Sequence, residues 1–128
     1  MADRASERRG ADGSAAPGRE AEAAAVSAAV RAVWERHRPS VLAQLGVLDG
    51  AADALRRGAL GAAERAEARA VAHRLAGSLG TFGLDAASAC AREAELLLSG
   101  SRALTRGQAE RLAASVRAIA RDARGAAA

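Results

Sequence analysis

The chain has 128 residues, half of them apolar, and carries 19 basic against 15 acidic residues for a net charge of +4. That length suits one domain and not two. Every basic residue is arginine, which never titrates in the useful range and so inflates the isoelectric point, and the excess lacks the dense basic runs and interleaved aromatics of a nucleic-acid surface. The charge fits an acidic protein partner reached by electrostatic steering instead. Cys90 is the only cysteine, so there is no internal disulfide, and with two histidines it makes no zinc-site spacing; within an alanine-rich helix it is expected to act as a small core residue. No apolar run reaches the ~18 residues of a membrane span, and no signal-peptide core opens the chain. The expected location is the cytoplasm.

Residues 1–20 are small and charged, with Pro17 and no large apolar residue after Met1. Such a segment cannot bury enough surface to offset its ordering entropy, and a disordered tail is expected there. From about residue 21 a helical period begins, with Val26, Val30, Val33 and His37 on one stripe and Trp34 beside it. Pro39 is expected to end this first helix, because proline disfavours α geometry in the residue before it. His37 would then lie at a helix C-terminus, where a cation meets the dipole well.

A second helix from about Ser40 has Val41, Leu45, Leu48, Ala52 and Leu55 along one face. Arg56, Arg57 and Gly58 close it. The third runs from about Ala62 to Thr81, and Gly83 turns the chain. The fourth covers about 85–98, with Asp85 as its expected N-cap and Leu84, Ala87, Ala91, Ala94 and Leu98 as its stripe. Ser99, Gly100 and Ser101 form a loop. Thr105 and Gln108 have the spacing of a capping box and open a fifth helix with Leu112, Val116 and Ile119 facing inward. Residues 125–128 are a short disordered tail. No stretch has the β-branched alternation of a strand. The fold class is all-α: an antiparallel four-helix bundle over residues 21–124, short connections favouring antiparallel neighbours, with an additional N-terminal helix packed on or across one end.

His73 stands out because it does not belong to a core stripe. At about 100° per residue the apolar stripe of its helix passes through Ala68, Val71, Leu75, Leu79 and Phe82. His73 lies on the other side, with Arg69, Ala70, Ala76, Gly77 and Gly80 as its neighbours. A glycine inside a helix costs about 1 kcal/mol relative to alanine, and two of them fall on this face. The simplest gain is room for another molecule beside the imidazole.

Residues 72–84 read Ala-His-Arg-Leu-Ala-Gly-Ser-Leu-Gly-Thr-Phe-Gly-Leu. This run resembles the phosphorylation motif of histidine-containing phosphotransfer (HPt) domains, the carrier modules of bacterial two-component relays. Their pattern is roughly His-x-Leu-Lys/Ala-Gly-Ser followed by small residues and a glycine that ends the helix, and His73, Leu75, Gly77, Ser78 and Gly83 fall on it in register. Many members carry lysine three residues after the histidine, where this chain has Ala76. The likeness extends over roughly residues 25–124 as a helix pattern and is specific across 72–84. It implies a four-helix bundle with an exposed active histidine midway along one helix.

The chemistry open to His73 alone is limited. Serine-type hydrolysis needs a nucleophile and an orienting carboxylate around the ring, and its own helix supplies no acid at a suitable step. A neutral imidazole is a nucleophile near neutral pH and can hold a phosphoryl group as a labile phosphoramidate. The metal ion and acceptor carboxylate of a phosphoryl-transfer site must then come from a partner. The resemblance implies that a response-regulator receiver domain brings an aspartate and Mg²⁺, so the chain needs no cofactor of its own.

On this reading His73 is the phosphoacceptor, and Arg69, Arg74, Ala76, Gly77, Ser78 and Gly80 form the phosphoryl- and partner-binding face. Arg69 could pair with phosphate as a charged fork, and Arg74 could meet the rim of an acidic partner. Gly77 keeps its turn clear, or alternatively permits a tight helix–helix contact. Ser78 could equally bond back within its helix. No nucleotide-binding glycine loop or kinase signature is present, so the phosphodonor is a separate protein. Partners are a receiver domain, a hybrid histidine kinase, or both. A monomer is expected, with no nucleic acid and no membrane. Two other readings stay open: an adaptor that binds a receiver or kinase without being phosphorylated, and an interaction bundle using the arginines of its last helix.

Overall fold

The computed structural model describes the backbone of residues 2–126 and the side chains of residues 18–126. Four helices follow one another: α1 (Ala2–Arg56), α2 (Ala62–Thr81), α3 (Asp85–Leu98) and α4 (Arg106–Gly125). No strand occurs among the described residues. The chain divides into two compact units, Met1–Trp34 and Glu35–Ala128. The expected tails, residues 1–20 and 125–128, lie largely outside the residues whose side chains are described.

Among the described side chains of the first unit, residues 18–32 are exposed, and only Val33 and Trp34 are covered to any extent. The valine stripe expected to be buried is therefore open, Val26 being 63% and Val30 46% accessible. A single helix has no second element within its own unit to bury a stripe against.

The helix break expected at Pro39 is absent, and the first two expected helices are one. Proline removes one backbone donor and crowds the preceding turn, but its effect is a bias that packing can override. Immediately after it, Val41, Leu45 and Leu48 go into the core of the second unit, each burial contributing about 1.5–3 kcal/mol. The consequence for His37 is a correction. It sits inside α1, not at a helix end, and its ring lies 5.6 Å from that of Phe82 at a tilt of 52°.

Helix ends elsewhere follow local chemistry. Gly58 and Gly83 take left-handed φ values of 67° and 76°. Around Gly58, the Ala59 N–H reaches Ala54 O and the Gly58 N–H reaches Leu55 O; around Gly83, Leu84 N–H reaches Leu79 O and Gly83 N–H reaches Gly80 O. Both are Schellman closures. The Thr105–Gln108 capping box opens α4 as expected. The α3 cap is displaced by one residue: Leu84 is the N-cap, without a side-chain bond, and Asp85 is the first helical residue.

The core of the second unit is leucine and alanine. Leu48, Leu75, Leu79, Leu98, Leu112 and Ile119 are fully buried, and α3 packs against both α2 and α4. Ser88 donates its hydroxyl to the carbonyl of Ala76 at 2.7 Å, and Glu93 on α3 accepts from Arg111 on α4 at 2.6 Å. Cys90 is half-buried instead of lying in the core; desolvation, then Asp122 and Glu93, raise its thiol pKa. No helix among the described residues is long and apolar enough to cross a membrane.

Candidate functional site

His73 stands midway along α2 on the face away from the core, its side chain 73% exposed. The reason lies in α2's own pattern: Ala68, Val71, Ala72, Leu75, Ala76 and Leu79 turn inward, leaving Arg69, Ala70, His73, Arg74 and Gly77 to solvent. The ring is not free, however. Its Nδ1 lies 2.9 Å from Oε1 of Glu95 on α3. A carboxylate accepts and does not donate, so in the neutral ring Nδ1 carries the proton and Nε2 keeps its lone pair. The hydrogen bond made by one ring nitrogen thereby selects the tautomer presented by the other.

Together Ala66, Arg69, Ala70, His73, Arg74 and Glu95 line an open recess. Both arginines expected near His73 are there, exposed, and either guanidinium can donate to phosphoryl oxygens. Gly77 is exposed, and a Cβ placed on it would meet nothing within 4 Å. The remaining expected residues behave differently. Ala76 is buried, only 5% accessible, so it does not belong to the exposed face. Its carbonyl takes the Ser88 hydroxyl at the α2–α3 seam. Gly80 belongs to the same seam, for a Cβ there would come 3.4 Å from the Ser88 hydroxyl oxygen. Ser78 is half-buried, and its carbonyl accepts the N–H of the C-cap residue Phe82.

Glu95 was not singled out in the sequence. It follows Ala94 of the buried α3 stripe and precedes Leu96, Leu97 and Leu98, which places it at the stripe's border, but its pairing with His73 depends on how α3 is rotated against α2. Arg65 was missed for the same reason. Its guanidinium donates to the carbonyls of Leu98 at 3.0 Å, Arg102 at 2.6 Å and Ser99 at 3.0 Å.

The second unit thus presents, on an all-helical core, an exposed histidine midway along one helix and ring-bonded to a carboxylate from the next, in a recess open to another molecule. The comparison with known families agrees. The family model described as Hpt domain matches residues 32–122, well over half of the chain, and the chain belongs to that family. Hpt domains are histidine phosphotransfer carriers without kinase activity of their own, and they work with receiver and kinase domains in phosphorelays. Among curated proteins the chain is similar to Protein RcaC of Microchaete diplosiphon, 38% identical over 71 residues. That alignment takes in 56% of this chain and 11% of the relative, so the chain corresponds to a small part of that protein's length. No solved structure gives a significant match.

Proposed function

We propose that this protein carries a phosphoryl group on Nε2 of His73 and exchanges it with the aspartate of a response-regulator receiver domain. The observation that carries the reading is the Glu95–His73 bond at 2.9 Å on an exposed helix face, within a chain that belongs to the Hpt family. Accepting the group, the Nε2 lone pair attacks phosphorus of the partner's aspartyl phosphate. An N–P bond forms, the P–O bond to the aspartate breaks, and that carboxylate leaves with the electron pair. The ring becomes cationic as the bond forms, with its Nδ1 proton held by Glu95. A carboxylate in this place stabilises the cation and holds the ring's orientation, as the aspartate does in a serine-protease triad. Loss of the Nδ1 proton to water, by way of Glu95, then leaves a phosphoramidate with an uncharged ring, and the reverse transfer retraces these steps.

Arg69 and Arg74 offer donors to the phosphoryl oxygens, taking the place of the lysine absent at position 76. The open turn at Gly77 gives a partner access to the ring. Divalent metal, Mg²⁺ in our reading, comes with the receiver's acidic site and neutralises phosphoryl charge there. The reading also includes an antiparallel course for the helices. It is supported for α2 and α3 by three links whose order reverses: Ala76 to Ser88, His73 to Glu95, and Arg65 to Leu98. We read the carrier as a cytoplasmic monomer, for which light scattering at the mass of a single chain is the check.

Phosphoryl transfer itself is the test. The purified protein is incubated with phosphorylated receivers or histidine kinases and the label followed onto the chain, with His73→Gln in parallel. Acid-labile, base-stable label on the wild type and none on the variant is expected. Receiver binding retained by both proteins with no label from any donor would sink the carrier and leave an adaptor.

A further inference from the structure

We infer that Arg65 is a positioning residue for His73, acting at a distance by holding in place the turn of α3 that carries Glu95. The inference rests on the carrier reading for its functional meaning, and on hydrogen-bond geometry for its substance. The last four carbonyls of any helix lack intrahelical partners, and in α3 these belong to Glu95, Leu96, Leu97 and Leu98. Three of the four are satisfied within one small network. Ser99 donates its hydroxyl to Glu95 O at 2.7 Å and its N–H to Leu96 O at 3.2 Å. Arg65 donates Nε to Leu98 O and Nη2 to Ser99 O, each at 3.0 Å, and Nη1 to Arg102 O at 2.6 Å.

All three of these bonds go to backbone carbonyls and none to a carboxylate. The side chain therefore acts as a planar fork closing the end of α3 from outside, with its charge at the negative end of the helix dipole. Helix ends are where local opening is easiest, and Glu95 stands in this last turn. Arg65 belongs to the first turn of α2 and His73 to its middle. One helix thus reaches the end of α3 twice: once through Arg65 to hold the backbone, and once through the imidazole, which depends on that backbone for its partner. Without the fork, the final turn of α3 is free to open and Glu95 to leave Nδ1. The neutral ring then loses its preference for the tautomer with an open Nε2.

Ring nitrogen shifts of His73 in the ¹⁵N-labelled full chain, above the pH of ring titration, read the tautomer directly. The wild type is expected to show the Nδ1–H form in excess. Arg65→Ala is expected to move the population toward Nε2–H, in the same direction as Glu95→Ala. The rate of label transfer from a phosphorylated receiver, at saturating receiver, should fall about tenfold, by analogy with the lower end of the range for outer partners of metal-bound histidines. The double variant Arg65→Ala/Glu95→Ala should be no slower than Glu95→Ala alone, since coupled residues do not add. A wild-type tautomer and rate in Arg65→Ala, or losses that add in the double variant, would overturn the inference. Where Arg65→Ala does not fold, Arg65→Lys keeps the charge without the planar fork and is expected to shift the tautomer the same way. Because the tautomer is read without a phosphodonor, it still tests Arg65 even if no donor labels His73; failure of the carrier is seen separately, in the labelling.

Discussion

Gly77 and Gly80 lie one turn apart on α2 and resemble each other in sequence, yet they belong to different regions. At Gly77 the surface is open and a Cβ would touch nothing. At Gly80 the Ser88 hydroxyl stands 3.4 Å from where a Cβ would be. The first lies one turn beyond His73 on the exposed side of α2; the second belongs to the seam where α2 and α3 meet, together with Ala76. A small residue in a helix has two separate causes, access from outside and close approach from inside, and a short motif mixes both.

Substitutions in the two regions should therefore separate function from stability. The largest effect belongs to the recess: His73→Gln should remove all transferable label while the melting temperature stays close to that of the wild type, since an exposed side chain contributes little to the core. A coincident loss of folding would break the distinction. On the inner side, Leu79 is fully buried, and Leu79→Ala should lower the unfolding free energy by about 2–5 kcal/mol, read by denaturant titration, while the tautomer of whatever protein remains folded is unchanged.

Gly77→Ala sharpens the contrast, because alanine is favoured over glycine in a helix by about 1 kcal/mol and the site has room. The variant should melt higher by about 4–8 °C per kcal/mol in a domain of this size, and transfer to a receiver should slow. A variant both more stable and equally fast would show that Gly77 provides no needed clearance. Smallest is the exposed pair of Arg111 and Glu93 across α3 and α4. Arg111→Ala should cost under about 1 kcal/mol, because exposed pairs are weak, and less at high salt.

What could be read from the residues alone was whatever one helix decides for itself. The bounds of α2, the stops at Gly58 and Gly83, the capping box at Thr105 and the outward direction of His73 all follow from local periodicity and backbone preference. Pro39 misled because its local preference competes with the burial of Val41, Leu45 and Leu48 just beyond it. Ala76 misled because a residue 60° from the histidine can still fall on the core side of the boundary. Glu95 and Arg65 were invisible for a different reason: each acts across helices, and a pairing 22 or 33 residues apart depends on the relative rotation of α2 and α3, which neither segment encodes by itself.

The place of His73 along α2 has one more consequence. A phosphoryl group held there stands midway along the helix, remote from the N-terminal amides that elsewhere cradle anions, and it faces water. On the proposed carrier role, the occupied state is a message in transit, passed on when a partner arrives.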